Sequence, residues 1–211
     1  ATICMAQGEH EEAQKTLDAV AKKTPRNYLR KRLLAEAAEL NGDTETARTA
    51  MADVVANDTM PGAVSAEDQL TLARTHVGAG DLINAEKVLV LMRESEVMNL
   101  ALTQQASYSA LLAVASPDKG KKKFAGLRPA LLDSPLSTVA RVDVLRAALA
   151  VADGELADRQ ARALMSGEDA KKVFGAVRKL YALQGREPDF REIQRQVALQ
   201  RIHHDEEPAA G

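Results

Sequence analysis

The chain has 211 residues, 45% of them hydrophobic, enough to bury a core. Its formal net charge of −2 supplies neither an overall basic field for nucleic acid nor the logic of an acidic tail. The single cysteine, Cys4, excludes an intrachain disulfide, and no apolar run of about 18 residues exists to span a membrane.

Aromatics are 3% of the chain and Trp is absent, so the apolar content is chiefly Ala, Leu and Val. Ala and Leu are strong helix formers, and small side chains let helices approach closely. The expected class is all-α. No basic-then-apolar leader is visible, and one thiol suits a reducing compartment, so a cytoplasmic protein is expected.

In chain order, the apolar periodicity predicts helices near 10–23, 26–40, 43–57, 66–79, 82–96, 100–115, 120–132, 136–153, 155–166, 168–184 and 188–202. The chain opens at Ala1, already at the small position of a first helix, so part of that helix would lie upstream. Ile3, Cys4 and Met5 then read as edge residues, and self-association through this N-terminal edge is expected. The stretch "NDTMPGAVSAED" (57–68) reads as a longer linker, in which Ser65 caps the next helix with Asp68 three residues on. "SPDKGKKK" (116–123) and "DSPL" (133–136) read as further breaks. Pro188 sits at the first turn of a last helix, a solubilising cap with Phe190, Ile193 and Val197 inward. Residues 203–211 read as a mobile polar tail.

Gly8, Gly42, Gly80, Gly120, Gly154 and Gly185 are spaced by 34, 38, 40, 34 and 31 residues. Five residues after the first four come Ala13, Ala47, Ala85 and Ala125; after Gly154 and Gly185 come Arg159 and Phe190, where the register slips. Seven residues before the first five come Ala1, Ala35, Ala73, Ala113 and Ala147. Each glycine is read as the turn between two antiparallel helices, because it accepts positive φ without a Cβ clash. One helix pair cannot bury its own apolar face, so neighbours must stack.

This pattern resembles the tetratricopeptide repeat, with a small residue in each helix and a glycine turn between them. The resemblance implies a right-handed superhelical solenoid of about five to six hairpins with a C-terminal capping helix, one domain over 1–202. Repeats fall near 1–25, 26–60, 64–98, 100–133, 136–166 and 168–202, and the family's first-helix aromatics are absent. "RLLAEAAELNGDTETARTAMADVV" and "EDQLTLARTHVGAGDLINAEKVLVLMR" are also similar to the repeat segment attached to some bacterial receiver-domain response regulators. An output segment of such a regulator is therefore a second reading.

By the tetratricopeptide resemblance, first helices line a concave groove. The implied groove residues are Leu29, Arg32, Glu36 and Glu39, then Glu67, Leu70, Arg74 and Val77, then Ser107, Ala110 and Val114. Such a groove suits an extended peptide or a partner helix. The family's clamp of lysines and asparagines for chaperone C-termini is not evident.

Catalytic chemistry has no visible constellation. Glu36 and Glu39 share a helix face at i, i+3 but read as polar groove surface, since nothing in the sequence marks either as desolvated. "HHDEE" (203–207) could meet a metal but reads as a solvated tail, and Cys4 reads as a buried or edge thiol. His10 reads as exposed and His76 as packed or at the surface. "GKKKFAG" (120–126) lacks phosphate-loop spacing, and "RNYLRKR" (26–32) reads as a solubilising stretch. The expectation is a non-catalytic scaffold for a protein or peptide partner, in bacterial signalling or assembly, with no cofactor, metal, nucleic acid or membrane. An α-helical enzyme and a nucleic-acid-binding helical repeat stand as alternatives of other classes.

Overall fold

The computed structural model describes residues 7, 9–21, 28–41, 43–56 and 65–206. Among them are twelve α-helices and no strand. They are α1 (His10–Ala21), α2 (Tyr28–Asn41), α3 (Thr44–Ala56), α4 (Ala66–Gly78), α5 (Leu82–Leu91) and α6 (Glu94–Met98), followed by α7 (Leu102–Ala115), α8 (Pro117–Asp133), α9 (Thr138–Ala150), α10 (Gly154–Ser166), α11 (Ala170–Leu183) and α12 (Glu187–Glu206).

Four turns share one construction. The backbone N–H of Asp43, Asp81, Asp153 and Arg186 each donates to the carbonyl five residues earlier, at 2.8–2.9 Å on Ala38, His76, Ala148 and Tyr181. This is the six-to-one bond of a Schellman ending. In three of the turns the aspartate then caps the next helix, its carboxylate accepting from Thr46 N at 3.1 Å, Asn84 N at 3.3 Å and Leu156 N at 3.1 Å. One residue thus closes one helix with its backbone N–H and opens the next with its side chain. The residue before it takes the left-handed conformation: φ is 76° at Gly80, 67° at Gly185 and 60° at Ala152.

Two of the glycines expected to be turns are not. Gly154 is the first residue of α10, two positions past the turn at Ala152. Counted from Ala152, the small position five residues on is Ala157, fully buried, and not Arg159. Gly120 lies inside α8, buried against α7, where an added Cβ would meet Ala113 N and Leu112 C at 2.3 Å. It is a packing glycine. Pro117 starts α8 at the position where a missing N–H costs nothing, so the break expected over "SPDKGKKK" is confined to Ser116 and the rest of the stretch is helix.

Other boundaries differ for local reasons. The helix expected over 82–96 stops at Leu91, because Met92 turns extended (ψ 114°) and buries its side chain; α6 follows separately. The last helix continues through His203 and His204 to Glu206, where a tail was expected. Ser65 and Asp68 form the expected capping box: Asp68 N–H donates to Ser65 Oγ at 3.1 Å and Ser65 N–H to Asp68 Oδ2 at 3.3 Å. Ile3, Cys4, Met5, Gly8 and Gly42 lie outside the described residues.

The core runs along the chain in three apolar clusters. The first joins α1–α4 through Ala13, Leu34, Ala35, Met51 and Leu72. The second joins α4, α5 and α7 through Leu70, Ala73, Leu89 and Tyr108. The third holds α7–α12, where Tyr181 stacks on Phe190 and Ile193 and Val197 are buried as expected. Helices α4 and α7 each serve two clusters, so contact passes from neighbour to neighbour. Helix α11 departs from that order and packs against α2. His10 Nε2–H also donates to the Lys172 carbonyl at 3.0 Å, so His10 is half-buried and tied across the molecule, not exposed.

Candidate functional site

A cavity of about 900 Å³ lies between α2, α4, α9 and α11, with Thr44 of α3 and Val114 of α7 also in its wall. Lining residues recur every three or four positions, as one face of a helix requires. Helix α2 supplies Arg32, Glu36 and Glu39, and α4 supplies Glu67, Thr71, Arg74 and Val77. Helix α9 supplies Val139, Val142, Arg146 and Leu149, and α11 supplies Lys172, Val173, Lys179, Leu180 and Leu183.

Of the residues implied by the family pattern, Arg32, Glu36, Glu39, Glu67, Arg74, Val77 and Val114 meet in this wall. Leu70, Ser107 and Ala110 do not; all three are buried. Leu70 belongs to the cluster between α4, α5 and α7. Helix α7 is packed by α4, α5, α8 and α9, which covers Ser107 and Ala110 and leaves Val114 to reach the cavity. The side chain of Leu29 lies outside the described residues.

The contributions of α9 and α11 are absent from the sequence-based set. A signal for them existed. Glu67, Arg74 and Val77 stand 13, 6 and 3 residues before Gly80. The offsets 13, 10, 6 and 3, counted back from Ala152, give Val139, Val142, Arg146 and Leu149, all in the wall. Counting from Gly154 misplaces them.

Most wall cations are already engaged. Arg74 is 5% exposed and lies against Asp143 of α9, its Nε 3.0 Å from both carboxylate oxygens and Nη2 2.9 Å from Oδ2. Arg32 holds Asp68 at 2.6 Å, and Lys172 holds Asp169 at 2.6 Å. Arg30, expected to be a solvated cation, is buried and donates to the Val20 carbonyl at 2.9 Å. Lys179 makes no ion pair among the described residues.

Glu36 and Glu39 differ from the sequence reading. Glu36 has an accessible surface, but that surface faces the cavity, and Glu39 is half-buried. Removal of bulk water pushes both carboxyls up from their ordinary values. Lys172 opposes this at Glu36 and Arg74 opposes it at Glu39, without cancelling it. Neither glutamate has a hydrogen bond or ion pair among the described residues. Arg146 Nη1 is shielded from solvent without a hydrogen-bond partner among them, 4.0 Å from Asp143 Oδ1.

His76 is buried outside this wall, its Nδ1 3.1 Å from Asp81 Oδ2. No group of three or more His, Cys, Asp or Glu among the described residues is placed to hold a metal, and no helix among them is long and apolar enough to cross a membrane. Comparison with family models, with curated proteins and with solved structures gives no match for the chain.

Proposed function

We propose that the chain is a non-catalytic interaction scaffold, a right-handed stack of tetratricopeptide-like helix pairs whose cavity receives a peptide or partner helix. One observation carries the reading: α2, α4, α9 and α11 each turn one face to a shared cavity of about 900 Å³. On three of these helices that face is set by a common distance from the following turn. A repeated helix pair presenting the same positions inward produces such a wall. Its mixture of apolar and charged residues suits a polypeptide, with Val139 and Leu183 open to it at 42% and 68% exposure.

The test is affinity capture from a bacterial lysate, read by mass spectrometry, then titration calorimetry with the captured protein. The comparison is the double variant Val139→Asp/Leu183→Asp. These exposed residues alter the wall without touching an ion pair, whereas Arg74→Glu would break the buried pair with Asp143. A partner bound by the parent and weakened at least about tenfold by the variant supports docking in the cavity. Equal affinity for both proteins rejects it.

A further inference from the structure

The ion pairs in the wall leave a specific remainder. Arg32, Arg74 and Lys172 are neutralised by Asp68, Asp143 and Asp169. Glu36 and Glu39 stand one turn apart on α2, and neither is held in an ion pair or a hydrogen bond among the described residues. The same cavity carries the open apolar surface of Val139 and Leu183. Two carboxylates call for a cationic donor, and apolar surface calls for aliphatic side chains. A polypeptide with a basic residue among apolar ones supplies both.

Resting on the docking reading above, we infer that the occupant is a basic amphipathic peptide segment. Its Lys or Arg side chain sits at Glu36 and Glu39, and its apolar side chains cover Val139 and Leu183. Burial pushes both carboxyls up despite the cations nearby, so an arriving cation meets carboxylates that have already lost part of their water. The charges facing Glu36 are Lys172, His10, Arg74 and Asp169; those facing Glu39 are Arg74, Arg146, Asp143 and Glu36. Lys179, without an ion pair among the described residues, and Arg146, which shares Asp143 with Arg74, would favour an acidic occupant, but they stand against Glu36, Glu39 and Glu67.

The probes are three fluorescein-labelled amphipathic peptides that differ only at two central residues, one turn apart: Lys, Gln or Glu. Binding to the full chain is read by fluorescence anisotropy at neutral pH. The expected result is about tenfold tighter binding of the Lys peptide than of the Gln peptide. Glu36→Gln/Glu39→Gln should remove that preference, so that the Lys and Gln peptides bind alike. Glu36→Lys/Glu39→Lys should turn the preference toward the Glu peptide. A parent that prefers the Glu peptide, or a Lys preference that survives Glu36→Gln/Glu39→Gln, overturns the inference. Equal binding of the Lys and Gln peptides, abolished by Val139→Asp/Leu183→Asp, overturns the cationic occupant and keeps cavity docking. Binding that ignores Val139→Asp/Leu183→Asp, or no binding of any peptide, overturns both.

Discussion

Ala152 occupies the left-handed turn position that glycine fills at residues 80 and 185. A Cβ there crowds the following carbonyl, which costs about 1 kcal/mol. Ala152→Gly is therefore expected to stabilise the chain by up to about 1 kcal/mol, and Gly80→Ala to destabilise it by a similar amount, both read by urea denaturation. Gly120 is a different kind of glycine. Its missing Cβ makes room for the α7 backbone, so Gly120→Ala is expected to cost about 3 kcal/mol, since backbone cannot rotate aside as a side chain can. Gly126→Ala in the same helix is the control: no atom lies within 4 Å of its Cβ, and helix propensity predicts a gain of about 0.5–1 kcal/mol. If Gly120→Ala and Gly126→Ala melted alike, the close approach would be disproved. Glycine spacing alone cannot separate the two kinds, because a turn and a tight helix crossing both require the absence of a Cβ.

Between elements, the Arg74–Asp143 pair joins α4 to α9. Both groups are almost wholly buried, so removing one partner leaves the other desolvated and unneutralised. Arg74→Met is expected to destabilise by about 3–5 kcal/mol, and Arg74→Met/Asp143→Leu to recover most of that, measured as a thermodynamic cycle by chemical denaturation. A double variant as unstable as Arg74→Met alone would show that packing, not the unpaired charge, sets the cost. Arg74 was legible as a residue of the inner face from its place on α4. Its partner lies 69 residues along the chain, beyond the reach of any local pattern.

For the molecule as a whole, the contact of α11 with α2 is decisive, because it makes Glu36 and Glu39 part of a cavity wall. On an isolated α2 their i, i+3 spacing describes a polar face in water. In the folded chain, desolvation raises both carboxyl pKa values above those of the unfolded chain. The folded state therefore holds these protons more tightly. Stability associated with them is fully present below the ordinary glutamate pKa of about 4.3, and is lost as pH rises through the raised value. Glu39→Gln is accordingly expected to melt above the parent at neutral pH, with the difference closing as pH falls toward about 4. Differential scanning calorimetry across that range tests it; a difference independent of pH would mean that the carboxylate is not desolvated.

The sequence by itself determined the all-helical class, the order of the helices, the capping box at Ser65 and Asp68, and the glycine turns at Gly80 and Gly185. Each depends on bonds or side-chain periodicity confined to a few neighbouring residues, which a linear pattern records. The tertiary structure decided which face of α7 is covered, which carboxylate Arg74 holds, and where α11 meets α2. Those outcomes follow from small rotations at successive turns that accumulate over many helices. Alanine at 152 acts as a turn residue, and glycine at 120 as a contact residue, because of where the chain returns in space and not because of their immediate neighbours.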